Sequence, residues 1–461
     1  MPSSPRPIQP RGRRAAVALL VAGFVSLAVL GAASTAAATD PLPSPSASAM
    51  PSPSPTPSPT PTPTPPPSTL TFYGRGYGHG LGMSQYGALG RAVAGQTAAT
   101  ILTHYYAKTT LGTVSTSTRV RVLLISGYVP TSSVPARVIA HRGGFTVDGV
   151  AGTWPAEASA TLVRVTAPTA GWSLRIAASD GTVLKKVATT SSVRIRPAVS
   201  ATRLQVWFVP GSYDTFRGTI RLLGTTGGRV SAINEATIEG YLRGVVPAEM
   251  PWTWPTEGLR AQAIAARSYA VAHLHPSTGS WDVYGDSRSQ VYRGALGEKS
   301  TTTAAVAGTA GRVLLSGSKV VTALFHSADG GATENNENVY VSPTGSVTSA
   351  PVSYLRGSSD RTSSGASYDH ASPHASWKTA SYTLAQLSAV FGHDSRTKVG
   401  LLTRLDLSRR GVSGRLISVT LVGSAGTKTV SGEIFRSVFN TWTPATDPYM
   451  WSTLVATAPI P

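Results

Sequence analysis

The hydrophobic pattern changes kind several times along the chain. An unbroken apolar run over residues 15–33 is followed, over residues 41–68, by a stretch made almost only of Pro, Ser and Thr. From about Thr69 the composition becomes that of a folded protein. Residues 74–111 are rich in glycine and then helical in spacing, with Ala88, Leu89, Ala92 and Val93, then Ile101, Leu102, Tyr105 and Tyr106, recurring at helical intervals. Over residues 119–233 the period drops to two. Runs such as Arg119-Val120-Arg121-Val122-Leu123, Ser173-Leu174-Arg175-Ile176 and Arg203-Leu204-Gln205-Val206 alternate and are separated by Gly, Pro and Asp clusters, the pattern of strands joined by turns. Near Asn234 the helical period returns. Residues 237–242 open a short helix, and residues 255–274 predict a long one. Its face is Leu259, Ala263, Ala266, Tyr269 and Ala270, with Pro255 in the first turn and Glu257 at the positive end. Strands are predicted at 312–315 and 320–326, a Gly/Asn-rich loop at 329–338, and a helix at 383–391. Further strands follow at 401–407, 416–422 and 427–430, then a short helix at 432–439. The class is α+β: a mixed domain with a strand-rich inserted or accessory region.

Composition narrows the chemistry. The 461 residues include no cysteine, which excludes disulfides, thiolate metal sites and cysteine nucleophiles. Formal charge is +19, with 40 Lys and Arg against 21 Asp and Glu. A generally basic proteome accounts for such a balance; so does attraction to nucleic acid, anionic membranes or acidic wall polymers. The start of the chain chooses among these. Arg11, Arg13 and Arg14 precede the apolar run and Ala36-Ala37-Ala38 supplies small residues for cleavage, so residues 1–38 read as a secretory signal peptide. Left uncleaved, the run would anchor the chain in a membrane, the only membrane association foreseen. Residues 39–68 read as an extended disordered spacer. The folded part is therefore expected outside the cytoplasm, in the cell wall or secreted, where nucleic acid is not a partner.

Several segments carry a family resemblance. The longest is Tyr241-Leu242-Arg243-Gly244-Val245-Val246-Pro247-Ala248-Glu249-Met250-Pro251, with Trp254-Pro255 and Leu259-Arg260-Ala261-Gln262-Ala263-Ile264-Ala265-Ala266-Arg267-Ser268-Tyr269 after it. Asp282-Val283-Tyr284-Gly285-Asp286, Ser289-Gln290-Val291-Tyr292 and Phe325-His326-Ser327-Ala328-Asp329-Gly330-Gly331 follow in order. Together they resemble the SpoIID/LytB family, the sporulation stage II D protein and its amidase-enhancer relatives. The segment Gly74-Arg75-Gly76-Tyr77-Gly78-His79-Gly80-Leu81-Gly82-Met83-Ser84-Gln85-Tyr86-Gly87 also resembles the family, but stands first here and near the C-terminus in sporulation members. That displacement suggests a permuted order in which residues 69–112 pack back on a core at 234–461, with 113–233 as the strand-rich region.

The resemblance implies a peptidoglycan lytic transglycosylase. Such an enzyme cleaves the MurNAc–GlcNAc linkage of glycan strands, including strands denuded of stem peptides, and closes a 1,6-anhydroMurNAc ring. The family's catalytic glutamate falls on Glu249. One carboxyl suffices for this chemistry, since it gives a proton to the leaving oxygen and then takes one from the muramyl 6-hydroxyl. The apolar and aromatic flanks of Glu249, Val245-Val246-Pro247 and Met250-Pro251-Trp252, suit a desolvated acid of raised pKa. Substrate contacts are expected from Gln262, Arg267, Gln290, Tyr292, Ser327, Glu334 and Trp252, with Glu334 also a candidate second carboxylate. Glu239 and Glu257 read as surface or helix-terminus charges. No cofactor or metal is called for: His79 and His104 lack partners at ligand spacing. Some family members bind zinc through Cys and His in the segment corresponding to residues 282–290, where this chain has neither. Two alternatives stand beside the transglycosylase. One is a non-catalytic wall-binding modifier that stimulates an N-acetylmuramoyl-L-alanine amidase. The other is a hydrolase with water as acceptor. Partners are glycan strands, with anionic wall polymers or an amidase in addition.

Overall fold

A computed structural model describes residues 69–166, 170–275 and 279–460. The apolar run and the Pro/Ser/Thr tract lie outside the described residues. Among those described, no helix is long and apolar enough to cross a membrane. The fold is mixed α+β, with many strands and eight helices among the described residues.

The alternating region forms two antiparallel sheets over one core. A seven-stranded sheet has the parallel edge strand Val283–Tyr284, then Arg119–Tyr128, Val230–Thr237, Thr219–Gly224, Ser192–Pro197, Phe145–Val147 and Val150–Trp154. A six-stranded sheet runs Val183–Thr189, Gly171–Ala177, Ser159–Val165, Arg137–His141, Arg203–Val206 and Thr215–Phe216. Period-two alternation turns Leu162, Leu174 and Ile176 from one sheet and Ile195, Ile220 and Leu222 from the other into the same interior. Two helices complete that interior. Helix α3 (Ile238–Glu249) contributes Tyr241, Leu242, Val245 and Val246, and helix α4 (Thr256–Ala272) contributes Ala263, Ala266 and Ala270. The strand Val230–Thr237 crosses the boundary drawn at 233/234 and leads straight into α3, whose first turn is capped by the Thr237 side chain.

Helix α4 is buried on nearly every side. While Ala263, Ala266 and Ala270 face the sheets, Leu259, Ala261, Ile264 and Ala265 enter a second core. That core includes α1 (Gln85–Val93) and α2 (Ala98–Tyr105) through Ala88, Ile101, Leu102 and Tyr105. A run of alanines lets helices approach closely on both sides, and a helix apolar all round belongs in an interior. A third core lies under the C-terminal strands Trp377–Thr383, Leu402–Asp406, Ser418–Gly423 and Gly426–Ser431 and the helices Leu384–Gly392 and Gly432–Trp442. Phe72, from the first strand Thr69–Gly74, sits in it edge-on to Phe435 and Phe439. That strand lies between Trp377–Thr383 and Val455–Ala456, so the start of the described chain is built into its end.

Two expectations from the pattern change. The helix opened at 237–242 continues to Glu249 even though Pro247 in its last turn leaves the Arg243 carbonyl without a helical N–H donor. The strand expected at 320–326 is two short pieces, Lys319–Val320 and Phe325–His326. The second pairs in parallel with Met83–Ser84.

Candidate active site

Glu249 is the last residue of α3, with Met250 as its C-cap. Two elements distant in sequence converge on its carboxylate. The Val291 backbone N–H donates to Oε1 at 2.8 Å, and the Gln85 amide nitrogen donates to Oε2 at 3.3 Å. Close approach of backbone makes the first contact available. A Cβ on Gly244 would lie 2.7 Å from the Tyr292 ring and 2.8 Å from the Gly294 carbonyl oxygen, so the absence of a side chain lets the 290–294 segment rest on α3. The second contact depends on the glycine-rich loop. Gly82 has φ +63°, and a Cβ there would stand 2.1 Å from the Leu324 carbonyl oxygen. A bare backbone at this point lets Met83–Ser84 pair with Phe325–His326 and start α1 at Gln85, under the Ser84 cap.

Among the described residues no cation forms an ion pair with Glu249. Burial raises its pKa; the Val291 hydrogen bond, the Gln85 amide and the more distant charge of Arg293 pull the other way without cancelling that rise. The residue nevertheless keeps partial exposure. Nearby, the Tyr86 N–H donates to the Ser327 carbonyl at 2.9 Å, and the Tyr86 ring meets Trp254 edge-on with centroids 4.9 Å apart. The Ser327 side chain is partly exposed, and Trp252 is 48% exposed. Glu249, Gln85, Tyr86, Ser327 and the two tryptophans therefore supply an acid, polar groups and aromatic surface from three parts of the chain.

Other expected substrate contacts are corrected, each for a reason of packing. Arg267 is wholly buried: its guanidinium donates to both Glu239 oxygens, at 2.9 and 2.7 Å, and to the carbonyls of Arg312 and Val306. Glu239, expected as a surface charge, is thereby an internal counter-ion. Gln290 accepts from the Tyr241 hydroxyl and donates to the Ala266 carbonyl, in the core. Tyr292 donates to buried Asn234 at 2.9 Å. Gln262, on α4, has no accessible surface, and neither atom of its amide has a hydrogen-bond partner among the described residues. Glu334 is no second carboxylate. Buried at 1% exposure, it accepts from the backbone of Asn335, Val412 and Ser413 and from the side chains of Asn338 and Ser413, tying down the 411–413 turn. Glu257 accepts from the Ala98 N–H at 2.7 Å at the start of α2.

Gln85 is the contact that sequence reading missed. It lies within the glycine-rich family-like segment, but 164 residues from its partner. His79, in the same segment, is pushed down to about 4 by burial and by the charge of Arg415, and is neutral at ordinary pH. Among the described residues no group of three His, Asp or Glu side chains is placed to hold a metal ion. Residues 282–290 offer Asp286, whose carboxylate is engaged by Arg288 at 2.7–3.2 Å, and Ser289, which accepts from the Tyr284 N–H. These donors do not fit zinc.

Comparison with known proteins falls on this same part of the chain. Residues 226–315 match the SpoIID family model, described as Stage II sporulation protein. The Amidase enhancer of Bacillus subtilis (strain 168) is 36% identical over 104 residues, 22% of this chain and 14% of that protein. The Stage II sporulation protein D of Bacillus amyloliquefaciens is 35% identical over 129 residues, 24% of this chain and 37% of that protein. An uncharacterized protein of Brachyspira hyodysenteriae is 37% identical over 110 residues, 23% of this chain and 30% of that protein. The chain thus spans well under half the length of these curated relatives. No solved structure matches it.

Proposed function

We propose, for a chain that belongs to the SpoIID/LytB family through residues 226–315, that it is an extracytoplasmic lytic transglycosylase acting on peptidoglycan glycan strands with Glu249 as its acid and base. The observation that carries this reading is the Glu249 carboxyl itself: desolvated, raised in pKa, without an ion-pair partner among the described residues, and part of a residue that keeps some exposure. A carboxyl in that state keeps its proton nearer to working pH and can give it to the glycosidic oxygen as the muramyl C1–O bond breaks. The resulting carboxylate takes the proton of the 6-hydroxyl while O6 bonds to C1. Water enters neither half.

The two hydrogen bonds suit both states. Val291 N–H fixes Oε1 whether or not the acid is charged. Gln85 donates to the carboxylate through its nitrogen; with the amide turned over, its carbonyl would accept the proton of the acid. Trp252 and Trp254 offer aromatic faces to the apolar faces of sugar rings, and Ser327 a hydroxyl.

A second reading rests on the relative named Amidase enhancer: a wall-binding modifier that stimulates an amidase. Glu249→Gln separates the two. Under the proposal, cleavage of purified glycan strands drops by roughly 10²–10⁴-fold with the fold retained, and mass spectrometry of the wild-type products shows anhydro-muramyl ends one water lighter than reducing ends. Unchanged cleavage by the variant, or reducing ends alone, would sink it; amidase stimulation that survives Glu249→Gln would favour the second reading.

A further inference from the structure

Away from Glu249, arginines crowd the region between the two sheets and the first turn of α3. Two cavities share Arg217 as a wall. One, of ≈ 250 Å³, is lined by Arg119, Arg217, Glu239 and Arg243, together with Thr237 and Gly240 at the start of α3. The other, of ≈ 330 Å³, is lined by His141, Arg142, Arg203, Arg217 and Glu298.

The carboxylates in these walls are already engaged. Glu239 is held by buried Arg267 and the Gly311 N–H, and Glu298 by the fork of Arg217. Arg119, Arg142, Arg203 and Arg243 form no ion pair among the described residues. Arg203 spends one nitrogen on the carbonyls of Ser200, Ala201 and Thr202, and the Nε of Arg243 is buried without a hydrogen-bond partner. The crowding is electrostatic as well as spatial. Burial first, and then Arg217, with Arg142 and Arg243 adding, hold the Arg203 guanidinium below its ordinary pKa, against the pull of Glu298. With Glu239 and Glu298 spent on Arg267 and Arg217, the remaining like charges in the concavity repel one another, and an external anion relieves that cost.

We propose that the double cavity binds successive phosphate groups of a polyol-phosphate polymer. Guanidinium forks converging from several directions match a tetrahedral oxyanion better than a planar carboxylate. Two concavities sharing a wall suit a repeating anion. No Phe, Tyr or Trp side chain lines either one, and the His141 imidazole in the second is held by Glu157 and Gln205, so the site lacks the stacking platform that single-stranded nucleic acid uses. The formal charge of +19 adds long-range attraction. This site is independent of the chemistry at Glu249.

The test is calorimetric titration of the full chain with a synthetic glycerol-phosphate oligomer at several salt concentrations. Arg119→Gln/Arg142→Gln removes one arginine from each cavity; both are exposed and form no ion pair among the described residues, so the fold is retained, as a melting curve checks. Binding should weaken about ten-fold or more, and the log–log salt slope should fall by roughly one to two. Lys185→Gln/Lys186→Gln, on the exposed strand Val183–Thr189, removes the same charge elsewhere and should leave binding nearly unchanged. Equal loss in both variants would reduce the effect to net charge. No binding by the wild type, or undiminished binding by the arginine variant, overturns the proposal. A single-stranded oligonucleotide of equal phosphate number, bound as tightly and lost in the same variant, replaces the polymer with nucleic acid.

Discussion

At Glu249, burial and hydrogen bonding pull in opposite directions. Lost hydration raises the carboxyl's pKa, and the Val291 and Gln85 donors restrain that rise. Gln85→Leu removes one restraint, so the pH–rate profile of glycan cleavage should shift its alkaline limb to higher pH; an unmoved limb would show that Gln85 does not act on the acid. Linkage gives a second outcome. Because the folded pKa lies above the unfolded value of about 4.5, the carboxyl's contribution is whole below that pH and is lost as pH rises through the folded pKa. Glu249→Gln should therefore melt higher than wild type at neutral pH, by about 1–3 °C, and no differently below about pH 4.5. Scanning calorimetry at the two pH values checks it. Glu249 was legible because a long motif and apolar flanks surround it. Gln85 was not, since a glutamine in a glycine-rich stretch carries no sign of an acid far along the chain. Gln290 and Tyr292 misled for the opposite reason: polar groups in a family-like segment look available, but Tyr241 and Asn234 take them up inside the core.

Among elements, α4 organises the interior through one charged residue. Arg267 joins it to α3 through Glu239, to helix α5 (Ser300–Gly308) through the Val306 carbonyl, and to the strand Arg312–Ser316 through Arg312. Arg267→Met leaves Glu239 without its counter-ion in a largely buried place and should cost about 3–5 kcal/mol in urea unfolding. Adding Glu239→Gln should recover part of that loss; full additivity of the two would mean the pair is not coupled. The pattern located α4 closely, 255–274 expected against Thr256–Ala272 found, because helical period and an N-terminal proline agree. It did not show that α4 is covered on both flanks. A run of alanines reads alike on a half-exposed helix and on one gripped from two sides, and only the neighbours decide.

For the whole molecule, the governing feature is that the first described strand is sewn into the last. Gly74 pairs with Val455 and Tyr73 with Ala456, so the chain after Ala456 runs back along the strand toward Thr69. A circular permutant that begins at Thr118, runs to residue 460 and continues through a short linker into 69–115 should therefore fold. Its new ends fall in the exposed 115–117 turn, and it should melt within a few degrees of the parent and cleave glycan as the parent does. Failure of an otherwise soluble permutant to show a cooperative melt would refute that equivalence. The family-like character of residues 74–87 was legible; their docking place was not, because a pairing across some 310 residues leaves no local period. The same pairing also sets a clock. During synthesis the strand Thr69–Gly74 emerges early and waits without neighbours until residues 377–383 and 455–456 have been made. Gln85 waits as well, for until Phe325–His326 has been made Met83–Ser84 has no partner strand, and a chain that stops short of it holds the acid without its setting.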